Sequence, residues 1–104
     1  MTLDYLNPDS LAKPFGYTQI VRTKGSTTVY ISGQVGIDAD GQIVGQGDFQ
    51  KQARQAFDNL KTALASVGAG PDQVAKITTF VVDYSPDLRA PLHEIRTAIF
   101  GSNP

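Results

Sequence analysis

The amino-acid sequence predicts an α+β domain, and three observations carry that reading. Residues 28–38 alternate apolar and polar side chains with the two-residue period of an extended chain. Residues 49–67 repeat apolar side chains at helical spacing between Asp48 and Gly68. A second β-rich run, 74–83, is followed by another helical stripe. With a first strand before them, the order is three strands, helix, strand, helix.

The chain has 104 residues, which suits one domain spanning 1–104. A domain of this size buries roughly two-thirds of its unfolded surface, so its core is modest. The formal charge of −1 and a pI near 5.6 exclude a non-specific nucleic-acid binder, which needs a basic stripe. No run of about 18 apolar residues is present to span a membrane as a helix. The N-terminus lacks the basic start and apolar core of a secretory signal, so a cytoplasmic location is expected. Cysteine is absent, which removes disulfides, thiol nucleophiles and thiolate metal sites. One histidine without clustered carboxylates supplies too few ligands for a metal, and no cofactor is expected.

The elements follow in order. Residues 1–14 read as an irregular arm, because Asn7-Pro8 and Lys13-Pro14 favour turns. Residues 15–23 alternate as a first strand and lead through Lys24-Gly25-Ser26 into the 28–38 strand, an antiparallel hairpin by its short link. In that strand Val29, Ile31, Val35 and Ile37 share one face, and Thr28, Tyr30, Ser32 and Gln34 the other. Gly33 and Gly36 interrupt it, a sign that a ligand or another subunit approaches the backbone closely. Asp38 to Gly41 forms a turn into a short third strand, 42–44. Asp48 caps the first helix, Ala53, Ala56, Phe57, Leu60, Leu64 and Val67 form its stripe, and Gly68 stops it. The 74–83 strand comes next, reached through a helix and therefore expected parallel to its neighbour. Ser85-Pro86-Asp87 opens the second helical region, whose stripe is Leu88, Leu92, Ile95 and Ile99. A second crossover helix normally leads to another strand. One or two final strands are therefore expected after Pro104, or their pairing comes from a partner subunit.

The segments Gly16-Tyr17-Thr18-Gln19, Val29-Tyr30-Ile31-Ser32-Gly33-Gln34, the helix from Asp48 to Gly68, and Lys76-Ile77-Thr78-Thr79-Phe80-Val81-Val82-Asp83 together resemble the Rid family, also called YjgF/YER057c/UK114. The resemblance runs over residues 6 to 103. It implies a chorismate-mutase-like fold, a mixed sheet with helices on one face, assembled as a homotrimer whose sheets form a central barrel with ligand clefts between subunits. Closed rotational symmetry of this kind is ordinary for homo-oligomers. The activity it implies is hydrolysis of reactive enamines and imines to 2-keto acids and ammonia. A small carboxylate or imine is then the expected ligand, with no nucleic-acid or membrane partner.

Carried over by position, Tyr17 matches the family's cleft tyrosine, and Ser32 and Gly33 match its Ser-Gly pair. His93 stands where deaminating members often place an asparagine. These four, Tyr17, Ser32, Gly33 and His93, are the candidate substrate-binding residues, and no catalytic residue is assigned. The family's carboxylate-gripping arginine and its glutamate belong to strands that would follow Pro104. Arg22, Arg54, Arg89 and Arg96 do not occupy the arginine's place. Losing a bidentate charge-assisted pair would weaken binding by about two orders of magnitude. A non-catalytic metabolite-binding trimer therefore stands beside the deaminase, and a ribonuclease, an activity reported in the family, stands behind both. Ser32 lacks a recognisable Asp–His partner, which argues against a serine nucleophile. His93 lies one residue off the apolar stripe, at a surface boundary. Gly45-Gln46-Gly47 lacks a Walker lysine and reads as a plain turn.

Overall fold

In a computed structural model, residues 2–14, 18–25 and 27–101 are described. Two strands and two helices form: β1 (Thr2–Leu6), β2 (Ile20–Lys24), α1 (Phe49–Ser66) and α2 (Arg89–Phe100). Single 3-10 turns at Pro71–Gln73 and Pro86–Leu88 precede the later segments.

The helix α1 forms for reasons written in its ends. The Asp48 carboxylate accepts from the Lys51 N–H at 3.1 Å, satisfying one of the four free donors of the first turn. At the other end Gly68 takes φ +71, a left-handed conformation that costs glycine nothing. The Gly68 N–H donates to the Ala65 carbonyl and the Ala69 N–H to the Leu64 carbonyl. These are the two bonds of a Schellman motif, and they close the helix. Replacing Asp48 with Ala is expected to lower stability by about 1 kcal/mol, with Asp48→Asn nearly neutral, as read from urea unfolding midpoints.

The helices pack against each other, and Phe57, Leu64 and Ile95 are the most deeply buried apolar side chains among the described residues at 6%, 6% and 7% exposure. The rings of Phe57 and Phe100 meet edge to face, 6.2 Å apart at 72°. Both apolar stripes fall as their spacing predicts, except that Val67 at the end of α1 is half exposed.

The N-terminal arm departs from expectation. Residues 2–6, read as irregular, pair antiparallel with β2, Thr2 opposite Lys24 and Leu6 opposite Ile20. Tyr5 faces Val21, an aromatic against a β-branched side chain, and Asp4 faces Arg22 in an ion pair of 3.1 Å. So exposed a pair contributes at most about 1 kcal/mol. The intervening loop is tied by the Gln19 N–H donating to Asn7 Oδ1 and by Gln19 Nε2 donating to the Ala12 carbonyl. β2 thus takes its partner from before it in the chain, not from the 28–38 run expected after it.

That run and the 74–83 run carry no ladder among the described residues. The antiparallel sheet has two strands, and the expected parallel crossover is not formed. What remains of the expected 28–44 pairing is the Ile37–Ile43 bridge around the Asp38–Gly41 turn. There the Asp38 carboxylate accepts from the Asp40 and Gln42 N–H groups. The unladdered runs leave large side chains in solvent: Tyr30 and Phe80 at 92%, Val82 at 87%.

The molecule is correspondingly a slab, 42 × 34 × 19 Å. Its surface of 7793 Å² compares with about 5,700 Å² for a closely packed monomer of 11.1 kDa. Its radius of gyration of 15.0 Å exceeds the ~13 Å expected for this length.

Candidate functional site

The Ser32–Gly33 segment is open to solvent. Both residues are exposed, and nothing lies within 4 Å of where a Cβ on Gly33 would sit. The one bond nearby is local, from Gln34 Nε2 to the Ser32 carbonyl at 3.1 Å. Gly33 therefore offers bare backbone to solvent, as its place in the pattern suggests.

Gly36 is different. A Cβ there would lie 3.1 Å from the Gln52 Cα and 3.2 Å from the Gln52 and Val44 carbonyl oxygens. A close approach at this glycine is made within the chain, by α1 at Gln52 and by the Val44 carbonyl. Two side-chain amides of α1 complete the contact. Asn59 Nδ2 donates to the Val35 carbonyl at 2.9 Å and to the Ile37 carbonyl at 2.8 Å. Gln52 Nε2 donates to the Gly45 carbonyl at 2.9 Å. Asn59 is not among the candidate residues that the sequence offers. The available signal was a run of amides, Gln52, Gln55 and Asn59, at three- and four-residue spacing opposite a glycine-rich strand.

His93 lies exposed on α2, with its Nδ1 3.2 Å from Arg96 Nη2. A guanidinium only donates, so in this contact Nδ1 is the acceptor. No hydrogen bond joins His93 to Ser32 or Gly33 among the described residues. Tyr17 lies outside the described residues. A groove of about 300 Å³ runs between the helices, lined by Arg54, Asp58, Glu94, Ile95, Ala98 and Ile99. It shares no residue with the candidate set. Among the described residues, no helix is long and apolar enough to cross a membrane.

Comparison with known proteins places this geometry. The sequence profile of the family described as Endoribonuclease L-PSP matches residues 8–103. A RutC family protein of Pyrococcus horikoshii is 32% identical over 97 residues, covering 91% of this chain and 73% of its own. The 2-iminobutanoate/2-iminopropanoate deaminase of Dermatophagoides farinae is 32% identical over 74 residues, 70% of this chain and 56% of that protein. The crystal structure of YyfB, a conserved Rid-family protein of unknown function from Yersinia pestis, superposes with a TM-score of 0.90 at 34% identity. The match covers all of this chain and 80% of YyfB. At that agreement of sequence and backbone, the chain belongs to the Rid family and has its α+β fold.

Proposed function

We propose that the protein hydrolyses reactive enamines and imines to carbonyl compounds and ammonia, at clefts between the subunits of a homotrimer. In this reading Tyr17, Ser32, Gly33 and His93 line the cleft and water is the nucleophile. Water adds across the C=N bond, its oxygen to carbon and a proton to nitrogen. The resulting carbinolamine's hydroxyl proton then passes to nitrogen as the C–N bond breaks, so that nitrogen leaves as ammonia and the carbonyl remains. The observation that supports this most is the unladdered, exposed Ser32–Gly33 segment, where open backbone at Gly33 is suited to orienting a small polar substrate. Family membership and the similarity to an imine deaminase support the reaction class. The slab shape and the exposed Tyr30, Phe80 and Val82 support assembly, since apolar surface of this extent is normally covered by a partner.

The test is release of ammonia and keto acid from 2-iminopropionate generated in situ by a coupled enzyme, with the mass in solution measured by light scattering. Acceleration by a trimer is the expected result. No acceleration over the uncatalysed rate would remove the reading.

The second reading, a non-catalytic binder of small metabolites, draws on one observation. No charged side chain is hydrogen-bonded to Ser32 or Gly33 among the described residues. Metabolite-dependent thermal shifts without turnover would select it. The net charge of −1 weighs against ribonuclease activity.

A further inference from the structure

We propose that Asn59 is a positioning residue for the Ser32–Gly33 segment, setting the direction in which that segment leaves α1. The inference rests on the cleft reading above for its functional consequence, though not for its geometry.

Asn59 has two amide protons and one carbonyl oxygen, and all are engaged. The protons go to the carbonyls of Val35 and Ile37, which flank Gly36. The oxygen accepts from Gln55 Nε2 at 2.8 Å, one turn earlier on the same helix. Both chain partners of Asn59 are obligate acceptors, so its NH₂ must face them, and Gln55 holds the amide in that orientation.

The backbone between the two carbonyls is bent. The Ile37 N–H donates to the Val35 carbonyl at 2.8 Å, an i→i+2 bond that turns the chain at Gly36. The Val35 oxygen therefore accepts twice, once from the bend and once from Asn59. Gly36 is pressed onto the α1 backbone at Gln52, where a Cβ would lie 3.1 Å from the Gln52 Cα, tight against it. The bend, the glycine and the amide make one joint between helix and segment.

Beyond that joint, residues 27–35 have no ladder, and no other hydrogen bond ties them to α1 or α2 among the described residues. Ser32 and Gly33 are a few residues past it. With no second hydrogen bond to the helices among the described residues, a change of angle at Val35–Ile37 is passed outward toward Gly33. A misplacement of about 1 Å in a positioning element can cost 100-fold in rate.

The experiment compares Asn59→Ala and Asn59→Asp with Leu64→Val, a core change on the same helix that touches none of these bonds. Backbone order parameters of Ser32 and Gly33 are measured in each, together with kcat and KM for imine hydrolysis. The Asn59 variants are expected to drop the Ser32 and Gly33 order parameters below about 0.6, while Leu64→Val leaves them at the wild-type value. Turnover is expected to fall about 100-fold in kcat, with a smaller change in KM. Should the Asn59 variants fail to fold, Gln55→Ala, which frees only the amide's orientation, is expected to give the same change at smaller size. Order parameters of Ser32 and Gly33 that follow global stability alone, equal in Gln55→Ala and Leu64→Val, would overturn the proposal. If the wild-type protein hydrolyses no imine, the functional reading fails, and the order parameters still decide whether Asn59 positions the segment.

Discussion

Phe57→Ala is expected to leave much of the protein unfolded or aggregated under conditions where the parent is folded. Phe→Ala in a core costs about 3–5 kcal/mol, because the lost transfer energy is joined by the cavity left behind. Whole domains are stable by only about 5–15 kcal/mol. Two features push this site toward the upper end. Phe57 is one of three buried apolar side chains among the described residues, so the core it belongs to is small. Its ring also supports the edge of Phe100, in the last turn of α2, and the deletion leaves that ring facing a void. Fraying of α2 should therefore accompany the global loss. Urea unfolding, followed by far-UV circular dichroism at one fixed protein concentration, measures the effect; concentration matters because assembly would add to apparent stability. A loss under about 1 kcal/mol would show that the helix pair collapses into the gap and that the core lies elsewhere.

The helices were legible because their information is local. Asp48, Gly68 and the spacing of Phe57, Leu60 and Leu64 lie within one continuous segment, and capping and periodicity act over a turn or two. The Asp38–Gly41 turn was legible for the same reason. The pairing of β1 with β2 was not. Thr2–Leu6 alternates only weakly, and its partner lies across a loop holding two prolines, so nothing near it in sequence announces a strand. The runs at 28–38 and 74–83 show the opposite case. Their β-branched and aromatic content suits a strand, but a ladder also needs a neighbour, and among the described residues neither run joins one. Ser32 and Gly33 are candidates by pattern and family motif. Asn59 was missed because an amide on a helix surface looks like solubility until the segment it grips is seen in place.

Gly45→Ala is expected to be nearly as damaging as the loss of Phe57, and for a reason that contact with solvent would not reveal. Gly45 has φ +74, where an alanine is strained by about 1–2 kcal/mol. Gly47, two residues on, has φ +77 and shares that strain. The sites differ in what a methyl would meet. At Gly47 it meets open space. At Gly45 it would lie 2.5 Å from the Lys51 Cβ, 2.8 Å from the Gln52 backbone nitrogen and 3.1 Å from the Asp48 carbonyl oxygen. Two of these atoms belong to the backbone of the first helical turn and its cap, which cannot swing aside as a long side chain would. Relief requires moving Gly45 away from α1. That motion also pulls on the Gly45 carbonyl, which accepts from the Asp48 N–H at 2.8 Å and from Gln52 Nε2 at 2.9 Å. The cap contributes about 1 kcal/mol and overpacking costs about 1–3 kcal/mol, so the total exceeds about 3 kcal/mol. Gly47→Ala, with backbone strain alone, should lose no more than about 2 kcal/mol. The pair of variants separates clash from conformation in one measurement of unfolding free energy. Equal losses at the two positions would mean that α1 does not press on Gly45 in solution, and the same contact surface that holds Gly36 and the Ser32–Gly33 segment would come into question with it.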